Sequence, residues 1–99
     1  MAERRRSIHT GHRQRVKDEF SARGLAGWPD HRVLELLLYY AIPQGDVNGL
    51  AHELVERFGS LAGVLDAAEE ELCRVPGVGQ HTAVLLKLIP AAGARYLQS

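Results

Sequence analysis

Residues 74–83, Arg-Val-Pro-Gly-Val-Gly-Gln-His-Thr-Ala, are the stretch whose residue types and spacing could do chemistry. A proline and two glycines stand between two apolar segments of helical period. Gly77 and Gly79 allow a very short turn and clear side chains from the surface above it. The first N–H groups of the helix that follows have no partner inside that helix, and its dipole favours an anion there. A phosphate oxygen approaching over glycine can reach such groups, as at other glycine-rich helix starts. Val78 is expected to point the opposite way and anchor the turn in the core. The candidate contacts are Gly77, Val78, Gly79, Gln80, His81 and Thr82. The bland reading is that a Pro-Gly-x-Gly turn joins two helices and binds nothing.

No other cluster suggests a reaction. The histidines stand at 9, 12, 31, 52 and 81, and Cys73 is the single cysteine. His9 and His12 are three apart, but no cysteine or further histidine lies close enough in sequence to close a metal site. There is no nucleophile with a nearby base and no group of clustered carboxylates on an exposed face. No catalytic residue, metal or cofactor is expected. One cysteine suits a reducing compartment, and a cytoplasmic location is expected. The longest apolar run, 36–42, is seven residues, far short of the ~20 of a membrane span. The basic start is followed by polar residues, unlike a signal peptide.

The formal charge is zero, yet it is unevenly spread. Residues 1–17 hold six basic residues (Arg4, Arg5, Arg6, Arg13, Arg15 and Lys17) against Glu3, a balance of +5, so the remainder carries −5. A basic arm over 1–9 on a mildly acidic body suits a nucleic-acid contact, to which Arg13 and Arg15 could add. It suits a solubilising terminus equally well.

The elements that must position the turn are all helical. Ninety-nine residues with 45% hydrophobic content predict one domain over 10–99 with a modest core. A first helix is expected over 10–23, with Thr10 as N-cap, Val16 and Phe20 on one face and Gly24 at its end. Trp28 should pack at the core edge. Asp30 is expected to cap a second helix that stops at Ile42, before Pro43. Val33, Leu34, Leu36, Leu37, Leu38, Tyr39, Tyr40 and Ile42 leave it almost no polar face, which predicts a central helix. Asp46 should cap a third, with Val47, Leu50, Ala51, Leu54, Val55 and Phe58 as its stripe and Gly59 its left-handed terminator. Ser60 is expected to cap a short fourth helix. A fifth covers about 69–75, with Leu72 and Val75 inward. A sixth begins near Gly79, carries Ala83, Val84, Leu86, Leu88 and Ile89, and should kink or break at Pro90. The fold class is an all-α bundle of five to six helices.

These residues carry a resemblance. Leu72-Cys73-Arg74-Val75-Pro76-Gly77-Val78-Gly79 with Thr82-Ala83 resembles a helix-hairpin-helix motif at about 69–89, an element that binds the DNA backbone. Phe58-Gly59-Ser60-Leu61 with residues 64–67 resembles the degenerate first half of a paired motif, in a bundle of SAM/RuvA-C-like arrangement. Gly11-His12-Arg13, the run 34–43 and Arg57-Phe58-Gly59-Ser60-Leu61 resemble the N-terminal domain of the RadC family (UPF0758). The likeness extends from about His9 to Leu97.

That likeness implies a bacterial, DNA-repair-associated protein and a second, metalloprotease-like domain of the JAB/MPN type. That domain's zinc site needs a His-x-His pair, which this sequence lacks, so an isolated N-terminal portion without catalysis is expected. The likeness also adds Gly59 and Ser60 to the candidate DNA contacts. Where strong DNA-binding hairpins place a lysine or arginine after the second glycine, Gln80 and His81 stand here, and Glu69, Glu70 and Glu71 precede the turn. Any contact would be to phosphate or sugar, without base preference. The competing expectation is a protein-interaction module that docks on a partner or on the missing domain, with no membrane contact in either case.

Overall fold

In a computed structural model of the chain, residues 2–99 are described, with side chains from Gly11 onward. Arg4, Arg5 and Arg6, the centre of the expected arm, lie outside the described side chains. Six helices follow one another: α1 (Ala2–Arg23), α2 (Asp30–Ala41), α3 (Asn48–Phe58), α4 (Leu61–Asp66), α5 (Glu69–Cys73) and α6 (Gln80–Gln98). There is no strand among the described residues, so the class is all-α.

The apolar run of α2 does become the centre, because a helix with so little polar surface must be covered on most sides. It packs against α1, α3, α4 and α6. Leu34 and Leu38 are fully buried, and they share one core with Val16, Val47, Ala51, Leu54, Val64, Leu72, Val75, Val78, Ala83 and Leu86. Trp28 packs at the edge of this core, with the Arg32 guanidinium over its ring. In α3 the expected stripe holds, with Ala51 and Leu54 buried and Leu50, Val55 and Phe58 against the core. Gly59 ends that helix in the left-handed region at φ 91°.

Several local expectations were displaced by neighbouring structure. Helix α1 begins at Ala2, so Thr10 lies within it and does not cap it. Pro29 takes the N-cap position of α2 in an extended conformation, and its carbonyl accepts from Arg32 and Val33. Asp30 is thereby released, and its Oδ2 accepts from the Leu61 amide across the bundle at 2.8 Å. Asp46 sits one residue before the N-cap of α3 but still accepts from the Asn48 amide at 2.9 Å.

Tyr40 was expected in the core and is 66% exposed, with the Lys17 ammonium over its ring. Phe20, Val84 and Leu88 are likewise exposed. The reason on α6 is geometric: Thr82, Ala83 and Leu86 define the face that meets the bundle, and a helix packed on one side cannot bury the other. Pro90 does not end α6, which runs on to Gln98. The missing proline N–H removes a single rung, and the ring's fixed φ is itself helical.

Candidate nucleic-acid interface

The turn between α5 and α6 is built by its own sequence. Val75, Pro76, Gly77 and Val78 form a β-turn closed by the Val78 amide donating to the Val75 carbonyl at 3.0 Å. Proline at the second position and glycine at the third match a type II turn, whose third residue needs positive φ; Gly77 has φ 98°. Val75 and Val78 are buried on the inner side, whereas Pro76, Gly77, Gly79, Gln80 and His81 are exposed. The turn rests on α3, where the Leu50 methyls lie next to Gly77.

Gly79 is the extended N-cap of α6 and supplies no side-chain cap. The first rung of α6 is the Ala83 amide to the Gly79 carbonyl at 3.0 Å. Among the described residues, the amides of Gly77, Gly79, Gln80, His81 and Thr82 meet no acceptor in the chain. The Val78 amide is engaged in the turn. Thr82 is 4% exposed, so its side chain faces the bundle and only the residues before it face outward.

The start of α4, the expected first half of the pair, is arranged differently. Asp30 Oδ2 accepts from the Leu61 amide, and Ser60 Oγ accepts from the Gly63 amide at 3.0 Å. The carboxylate of the chain itself stands where an external anion would. Of the first three amides of each helix, two at the start of α4 are answered internally, those of Leu61 and Gly63, and none at the start of α6.

The cations are distributed in an unexpected way. Arg13 donates to the Tyr39 carbonyl at 3.3 Å and to the Gly45 carbonyl at 2.7 Å, with its guanidinium over the Tyr39 ring. It fastens α1 to α2 and the following loop. Lys87 donates to the Leu65 carbonyl at 3.0 Å, joining α6 to α4. Arg15 and Arg74 are exposed. Arg13 and Arg15 sit on α1, and no hydrogen bond or ion pair among the described residues joins them to the hairpin. Gln80, the first residue of α6, donates through Nε2 to Glu69 Oε1 at 2.6 Å, so this acidic residue faces the turn.

A second polar cluster lies between α1 and α2, where the linear order of residues gives no metal or catalytic spacing. Glu35 is 3% exposed, with His12 Nε2 at 3.6 Å from its Oε2. The signal was present, since Glu35 is the one charged residue inside the apolar run 33–42. Tyr39, one turn further on, has its phenol pushed up to about 12, first by burial and then by the Glu35 charge. A phenol raised above its unfolded value stabilises the fold fully below pH 10 and loses that contribution as pH rises toward 12. In a spectrophotometric titration Tyr39 should ionise above the ordinary range of tyrosine, accompanied by loss of helical circular dichroism. Among the described residues no three histidine, cysteine or acidic side chains converge as a metal site. No described helix is long and apolar enough to cross a membrane.

Comparison with known proteins gives a consistent relationship. The chain is 38% identical over 79 residues to a UPF0758 protein of Fusobacterium nucleatum, covering 80% of this chain and 34% of that protein. It is 40% identical over 84 residues to a UPF0758 protein of Ruegeria pomeroyi, covering 85% of this chain and 38% of that protein. The chain thus spans little more than a third of the length of these curated relatives. No family model matches it, and no solved structure does.

Proposed function

We propose, for a chain that belongs to the UPF0758 family, that it is a DNA-backbone-binding module that is non-catalytic by itself. The module acts beside the region that its longer relatives carry in addition. The observation that supports this reading is the set of unanswered amides at Gly77, Gly79, Gln80 and His81, exposed over a turn that glycine keeps free of side chains. A phosphate oxygen would accept from these N–H groups in the favourable field of a long helix's N-terminus. All such contacts go to the backbone, so affinity should not depend on base sequence.

The hairpin carries few cations, so the grip should be weak and its salt dependence modest. About two neutralised phosphates give a slope near −1.8 in log affinity against log salt, hence about a tenfold loss between 50 and 200 mM. Fluorescence anisotropy with a labelled duplex at both salt concentrations measures this. Sequence-independent binding with that slope supports the reading. Absence of binding at low salt defeats it.

A second reading has its own observation. Val84 and Leu88 lie one turn apart on α6 and are 47% and 55% exposed, and Tyr96 and Leu97 further along are more exposed still. An uncovered apolar helix flank suits docking on a protein partner or on the rest of a longer chain. Loss of duplex binding together with retention of a partner on that flank would favour it.

A further inference from the structure

We propose that Glu69 restrains the hairpin: its carboxylate, held against Gln80 at the first turn of α6, is a built-in negative charge that lowers affinity for a phosphate backbone. This rests on the DNA-binding reading and names a control built into the same site. Glu69 is the first residue of α5, and the tight turn brings it beside the first residue of α6. Gln80 Nε2 donates to Glu69 Oε1 at 2.6 Å, while Cys73 Sγ lies 4.0 Å from Gln80 Oε1. The side-chain amide of Gln80 is therefore pinned on α5, and the donor that could have reached outward is turned toward a carboxylate.

The charge of Glu69 is not neutralised locally, since no ion pair to it exists among the described residues. It is also half-buried, so water screens it less than a free surface carboxylate. It stands in the same positive field of α6 that would attract a phosphate, and it competes for that field. Glu70 and Glu71 are exposed, and their side chains make no hydrogen bond to the hairpin among the described residues. They share its charge and lack its placement.

The test compares Glu69→Gln with Glu70→Gln. Each removes one negative charge, and the glutamine at 69 keeps an oxygen that can accept from Gln80. Duplex binding is read by anisotropy at 50 mM salt, after circular dichroism melting has established that both variants are folded. One unit charge about 6 Å from a phosphate in a water-like dielectric changes affinity about threefold. Glu69→Gln should tighten binding by that factor, with Glu70→Gln showing a clearly smaller gain. Equal gains in the two variants, or no gain at 69 while wild type binds, would overturn the restraint and leave the DNA reading standing. No binding by wild type or Glu69→Gln would overturn both.

Discussion

A Gly63→Ala chain should lose about 3 kcal/mol of stability, within the range of severe overpacking and strain. A methyl group built on Gly63 would overlap the Phe58 carbonyl oxygen and stand 3.0 Å from its carbon. The obstacle is backbone, which cannot rotate aside as a flexible side chain would. Relief requires α4 to move away from the end of α3. That movement would strain the Ser60 cap on the Gly63 amide and loosen Val64, which is fully buried in the core. For a domain of this size such a loss lowers the melting temperature by more than 10 °C, by about 4–8 °C per kcal/mol. Chemical denaturation monitored at 222 nm checks it; a Gly63→Ala protein as stable as wild type would show that α4 shifts freely.

Gly79→Ala should weaken duplex binding about tenfold and leave the fold almost unchanged. Gly79 has an ordinary extended backbone, φ −97° and ψ −179°, and a methyl there meets nothing within 4 Å. The structural loss is limited to the N-cap preference of glycine over alanine, about 0.5 kcal/mol. The methyl would nevertheless fill open space at the N-cap of α6, next in the chain to the unanswered Gln80 amide, and is expected to hold a phosphate oxygen away. One charge-assisted hydrogen bond contributes about 1.5 kcal/mol, equivalent to the tenfold change. Gly77→Ala is a poorer probe. At φ 98° an alanine is strained by about 1–3 kcal/mol, so reduced binding would confuse a distorted turn with a blocked one. Unchanged binding by folded Gly79→Ala would instead favour the docking reading.

The two glycines of greatest consequence differ in how visible they are. Gly77 declares itself, because Val-Pro-Gly-Val spells a turn and the third position of a type II turn demands positive φ. Gly63 has nothing comparable around it. It lies in an ordinary helical turn, and only the approach of the Phe58 carbonyl explains it. The capping residues divide similarly. Ser60 was legible as the cap of α4, since a serine before a helical run satisfies an amide three residues on. Asp30 was legible as a cap, but of the wrong helix, because its partner Leu61 is thirty-one positions away.

Local patterns determined the all-α class, the number of helices, the central place of α2, the inward turn of Val75 and Val78, and the outward turn of Gly77 and Gly79. Each follows from period, turn chemistry or a fixed φ, which act within a few residues of chain. Tertiary structure alone brought the Asp30 carboxylate to the Leu61 amide at the start of α4. It also decided that Arg13 and Lys87 fasten helices together, that Glu69 faces the hairpin, and that Val84 and Leu88 remain uncovered. Those outcomes depend on which elements meet. A carboxylate, a guanidinium or an apolar flank takes its role from whatever the fold places opposite it.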